Sequence, residues 1–125
     1  MRNAKYLLLF ISFIFIACQG SDAYQGKWKA MDGNHKKFEI TFEPKEIVIK
    51  DSLGETKKYA YKQNSVKYVN GVSTYGISVD DGRIYQINFP KKDETVGLIK
   101  DENGMVMYTI NRTKYLTYDE VYKLN

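Results

Sequence analysis

One cysteine, one histidine, one tryptophan and two prolines stand in a chain of 125 residues, and each scarcity closes off a class of protein. The single cysteine, Cys18, can make no internal disulfide, which excludes a disulfide-stapled scaffold. The single histidine, His35, falls in the turn Asp32-Gly33-Asn34-His35 and reads as a solvated loop residue. With scattered carboxylates it does not supply the three or four ligands of a zinc site. No Ser sits in a G-x-S-x-G elbow, and no glycine-rich phosphate loop leads from a strand into a helix. Asp80-Asp81-Gly82 lacks the spaced oxygen ligands of a Ca²⁺ loop and reads as a hairpin turn. The expectation is a protein that is not an enzyme and needs no cofactor. No internal repeat is visible either, which argues against a solenoid or propeller.

Charge of one sign is scarce as well. Lys and Arg total 19 against 15 Asp and Glu, a net charge of +4. Arg2 and Lys5 lie in a segment argued below to be removed, and without them 17 basic residues face 15 acidic ones. That balance is too near neutral for a nucleic-acid partner. The doublets Lys36-Lys37, Lys57-Lys58 and Lys91-Lys92 sit at or beside turns, where they keep strand edges soluble. A basic rim meeting anionic headgroups or a partner is the functional alternative.

What is present begins with the N-terminus. Arg2 and Lys5 open it, and Tyr6 to Ile16 is apolar except for Ser12. The run is too short for a membrane-crossing helix, which takes about 20 residues, and suits the apolar region of an export signal. It ends Phe15-Ile16-Ala17-Cys18, and this resembles the lipobox of bacterial lipoproteins, with Phe15 in place of the usual Leu. The resemblance implies cleavage before Cys18, lipidation of its sulfur and usually an acyl chain on its amine. Two or three chains make such an anchor effectively permanent, since each buried CH₂ contributes about 0.8 kcal/mol. Gln19 rather than Asp follows Cys18, and the resemblance then favours the outer membrane. The implied layout is a signal peptide over 1–17, a lipidated tether over 18–25 and one domain over 26–125.

From Gly26 onward strand-like runs alternate with turn signals. Phe38, Ile40 and Phe42 alternate with Glu39, Thr41 and Glu43, a period of two with one wet face. Ile47 with Ile49, Tyr59 with Tyr61, Tyr75 with Ile77 and Val79, and Tyr85 with Ile87 and Phe89 repeat the pattern. Thr95 to Ile99 and Met105 to Asn111 are weaker strands, and Gly26 to Met31 is the first. Asn70-Gly71, Asp81-Gly82 and Asn103-Gly104 supply residues that accept positive φ in tight hairpins. Thr117-Tyr118-Asp119-Glu120 fits a capping box and predicts a short C-terminal helix. The predicted fold is all-β: a small antiparallel up-and-down barrel, or a two-sheet sandwich, of about eight strands with that helix at its end. Closure is the cleaner remedy for exposed sheet edges.

Gly26-Lys27-Trp28 resembles the G-x-W signature on the first strand of lipocalins and related calycin barrels. The resemblance implies that Trp28 packs across the closed end of a barrel and that a basic residue near the last strand covers it. Arg112 is placed in the order to do so. From the residues alone, Trp28 is a large aromatic opening a strand, suited to anchor a core.

The tyrosines leave the function open in a defined way. They either fill a barrel of this size or line a pocket in it. A carrier or sensor of a small apolar or aromatic ligand requires a mouth lined by Tyr59, Tyr61, Tyr75 and Tyr85. A protein-binding inhibitor or immunity-type lipoprotein of the envelope requires a filled barrel and an exposed patch of Tyr and Lys.

Overall fold

A computed structural model describes residues 21–123. The signal segment expected over 1–17 and the lipidation expected at Cys18 fall outside the described residues. Eight antiparallel strands close on themselves in sequence order. They are β1 (Gly26–Met31), β2 (Lys37–Phe42), β3 (Glu46–Asp51), β4 (Thr56–Val69), β5 (Val72–Val79), β6 (Ile84–Phe89), β7 (Val96–Asp101) and β8 (Val106–Asn111). One helix follows, α1 (Tyr118–Lys123). The protein is thus the closed barrel with a short C-terminal helix, not the sandwich.

Alternation decides which side chains face inward. Ile40 and Phe42 of β2, Tyr75, Ile77 and Val79 of β5, and Ile87 and Phe89 of β6 are buried in one core with Trp28, Tyr61 and Ile110. β7 reads weakly in the sequence because it is buried on both faces, which replaces alternation by a continuous apolar run. Ile99 points into the barrel, whereas Val96 and Leu98 pack outside against Leu116 and Val121 of the C-terminal segment. Gly97 lies between them. A Cβ there would come within 3.0 Å of the Phe89 ring and 2.9 Å of Ile110, so only glycine admits this approach of β7 to the closed-end aromatics.

The helix is held as its sequence predicts. The Thr117 amide and hydroxyl each donate to Glu120 Oε1 at 2.9 Å, and the Glu120 amide donates back to Thr117 Oγ1 at 3.4 Å. These bonds hold the Glu120 carboxyl below its ordinary pKa. Burial of Val121 does the rest, since so short a helix cannot stand alone.

The two barrel ends are built from different loops. At one end the four connections β1–β2, β3–β4, β5–β6 and β7–β8 share one construction. In each a tight turn closes onto a residue at positive φ: His35 (63°), Gly54 (89°), Gly82 (96°) and Gly104 (85°). Such a turn with a left-handed fourth residue is a standard short hairpin closure. In three of them an aspartate opens the loop and its Oδ1 accepts from the amides two and four residues on. Asp32 takes Asn34 and Lys36, Asp51 takes Leu53 and Glu55, and Asp101 takes Asn103 and Met105, all at 2.9 Å. The opposite end has the two-residue turn Asn70-Gly71 and the longer 90–95 loop.

Two features depart from the sequence reading. The strand expected over Lys57 to Lys62 runs on to Val69, with a register shift between Gln63 and Ser65. β3 pairs with β4 only as far as Ala60, so Lys62 to Val69 pairs with β5 alone and flares from the barrel. The tether expected over 18–25 is corrected from Ser21 onward. Tyr24 is fully buried among Phe42, Tyr61 and Tyr75, and Ser21 and Tyr24 both donate to Gln63 Oε1. A polar composition hid one ring large enough to fill the barrel floor. The seam where β1 meets β8 is the shortest ladder, pairing Lys29 with Asn111, Ala30 with Ile110 and Met31 with Thr109.

Candidate functional site

The closed end is packed solid. Trp28 is fully buried, 5.7 Å from the Phe89 ring, and Phe89 in turn packs edge-on to Tyr75. The indole Nε1 donates to the Tyr24 carbonyl at 2.7 Å, so its polar atom is satisfied. Arg112 lies over the indole with its guanidinium carbon 3.7 Å from the ring centroid. It donates to the carbonyls of Gln25 at 2.9 Å, Lys27 at 3.1 Å and Ala23 at 3.4 Å. The expected pair of Trp28 and Arg112 is therefore in contact. Burial lowers the Arg112 pKa from its ordinary value, but such a group stays charged. Gly26 completes the arrangement at φ 99°, where a Cβ would sit 3.1 Å from Arg112 Nη1.

Between this floor and the end with the repeated loops lies a cavity of about 270 Å³. Its walls are Ile40, Ile47, Ile49, Ile77, Val79 and Ile99, with Phe38 and Phe42. Its rim carries Tyr59, Tyr85, Tyr108 and Arg83, with Asp51, Glu55 and Lys57 further out. Arg83 is the centre of the rim. Its guanidinium lies 4.9 Å from the Tyr59 ring and 5.6 Å from the Tyr85 ring, and Nη1 donates to Tyr85 Oη at 2.9 Å. Asp81 fixes it from outside, accepting from Nε at 2.7 Å and Nη2 at 2.6 Å. That contact holds Asp81 below the usual carboxylate range and raises the Arg83 pKa. Burial pushes the Tyr108 phenol above its ordinary pKa, so it is a neutral donor at the rim.

The four tyrosines expected at one mouth are divided between the two ends. Tyr59 and Tyr85 line the cavity. Tyr61 and Tyr75 do not, and this corrects the expected lining. Tyr61 donates to the Glu43 carbonyl at 2.6 Å and Tyr75 to Glu94 at 3.2 Å, both beside Tyr24 in the floor. Burial raises both phenols well above their ordinary pKa. Sequence reasoning misses Arg83 and Tyr108 as rim residues. Arg83 carries a signal: it stands two residues before Tyr85, on the same side of a strand that begins at a glycine turn. Tyr108 has only its place in a weak strand.

Among the described residues no three His, Cys, Asp or Glu side chains gather as a metal site requires. His35 sits exposed in its loop. No protein-family model matches the chain, and no curated protein matches it at a significant level.

Proposed function

We propose that this chain is a non-enzymatic binding module, lipid-anchored in the bacterial cell envelope, whose barrel takes up a small apolar or aromatic ligand. The observation that carries the binding reading is the cavity: about 270 Å³, walled by aliphatic side chains and ringed by Arg83 and three tyrosines. A dry cavity of about 150 Å³ accepts benzene. The present volume therefore suits a molecule of one or two rings, or an acyl chain of medium length. Apolar burial supplies affinity, and the rim donors orient whatever polar group the ligand carries. The anchor rests on Cys18, and Gln19 after it favours the outer membrane.

Titration with a fluorescent apolar probe, such as a naphthalene-type dye, tests the site. Saturable binding at one probe per chain is expected, with loss on Ile49→Trp or Ile77→Trp, which fill the cavity. Binding that does not saturate, or that survives filling in a variant that remains folded, overturns the carrier reading. The protein-binding alternative then takes its place.

A further inference from the structure

From the fold we infer that the closed end of the barrel, led by the β4–β5 hairpin, docks on the lipid bilayer and turns the cavity mouth away from it. This inference rests on the proposed anchor at Cys18. The described chain begins at Ser21, whose amide and hydroxyl are fixed to Gln63 of β4. Cys18 lies three residues earlier, a reach of roughly 10 Å at most. An anchor there holds the Gln63 side of the molecule against the membrane. In an up-and-down barrel the lead into β1 and the β4–β5 turn share one end, whereas the loops around Arg83 lie at the other.

The surface presented at that end has the composition of an interfacial contact. Val66, Tyr68 and Val69 are 42%, 69% and 63% exposed. They are exposed because β4 outruns β3 and nothing among the described residues covers its flared half. Val66 and Tyr68 pair with Tyr75 and Ser73, both buried residues, so their side chains continue the inner face past the barrel rim. Lys67 lies between them, and Lys62 and Lys92 flank them in solvent. Lys92 reaches the turn itself, with Cε 2.9 Å from the Cβ that an alanine at Gly71 would carry. Acids at this end are Asp22, Glu43, Glu46, Asp93 and Glu94, against which stand Lys45 and Lys91 as well as the three lysines just named. Asp93 is used by the Thr95 amide and Glu94 accepts from Tyr75. An exposed Tyr with Val neighbours and a lysine fringe fits the headgroup layer of an anionic bilayer. The backbone edge of Lys62 to Val69 restricts the contact to that layer, because an unpaired strand edge does not enter hydrocarbon.

The test uses the chain from Cys18 onward, since the barrel with its core and strap closes entirely within the described residues. Its only cysteine is coupled to maleimide lipid in phosphatidylglycerol–phosphatidylethanolamine vesicles. Tyr68→Trp and Leu53→Trp, made in separate variants, place an indole reporter at the hairpin and at the opposite end. Brominated lipids are expected to quench the hairpin reporter strongly and the mouth reporter hardly at all. The parent chain, whose one tryptophan is the buried Trp28, supplies the baseline. Replacing Val66 and Val69 by Ser, or Lys67 and Lys92 by Gln, is expected to reduce the quenching. Equal quenching of both reporters, or none at the hairpin, overturns the docking. Protection of the hairpin reporter that instead tracks protein density, with a dimer mass, assigns the edge to a second copy and also overturns it. The anchor is read separately, from the mass of Cys18 in protein from its own host. An unmodified Cys18 beside a quenched hairpin reporter refutes the anchor alone.

Discussion

The two ends of this barrel share the same eight strands yet are finished in opposite ways. At the closed end Tyr24, Trp28, Tyr61, Tyr75 and Phe89 fill the interior, and Arg112 ties the entering segment at Ala23, Gln25 and Lys27 to the end of β8. Its loops differ from one another, from the two-residue turn Asn70-Gly71 to the longer 90–95 loop. At the mouth the loops are four versions of one hairpin, the aromatic residues are half-buried and the interior between them is empty enough to form a cavity. The difference separates a packed layer from an open one within a single sheet. The floor supplies the packing, and the mouth is held in shape by hydrogen-bonded turns that leave its centre open.

The sharpest test of that division compares one aromatic from each end. Trp28→Ala removes the largest fully buried side chain and is expected to destabilise by about 3–5 kcal/mol. Tyr85→Ala at the half-buried rim is expected to cost about 1 kcal/mol. Urea unfolding at constant pH measures both, and similar losses would dissolve the distinction between floor and mouth.

A second comparison concerns how the floor is tied. Arg112→Met keeps bulk over the indole but loses the charge and the bonds to three carbonyls, at an expected cost of about 2–3 kcal/mol. Arg112→Lys should recover only part, because an ammonium lacks the planar fork that spans several acceptors. Full recovery by Lys in the same unfolding experiment would reduce the contact to simple charge.

The smallest effect runs in the opposite direction and belongs to the mouth. His35 occupies the positive-φ position that glycine fills in the three equivalent loops. His35→Gly is expected to stabilise by about 1 kcal/mol, relieving left-handed strain at the expense of some unfolded-chain entropy. A loss of stability would show that the imidazole makes a contribution the loop geometry does not reveal.

Much of this architecture is legible in the sequence, and the reasons are local. Phe38-Ile40-Phe42 and Tyr85-Ile87-Phe89 announce inner faces by period two, and Asn70-Gly71 announces a turn that needs positive φ at both residues. Thr117 and Glu120 announce the helix. What alternation cannot give is height. It places Tyr59, Tyr61, Tyr75 and Tyr85 on the inside, but the distance of each along its strand from the mouth-end turn decides which of them reach the mouth. Gln63 to Val69 carries only the short alternation of Val66 and Tyr68, on a stretch that has left the core, so the pattern that marks a half-buried strand is faint there. Tyr24 shows the reverse failure, a core residue within a segment whose other members are small or polar.

The seam between β1 and β8 has a consequence for how the molecule assembles. Its short ladder joins the first strand to the last, and Arg112 reaches back 85 residues along the chain to the Lys27 carbonyl. Every other ladder connects neighbours in sequence. The seven hairpins can therefore form early at small entropic cost, whereas closure waits for the whole chain. Native-state amide exchange should find its lowest-energy opening there, with the guanidinium of Arg112 as the bolt that is thrown last and drawn first.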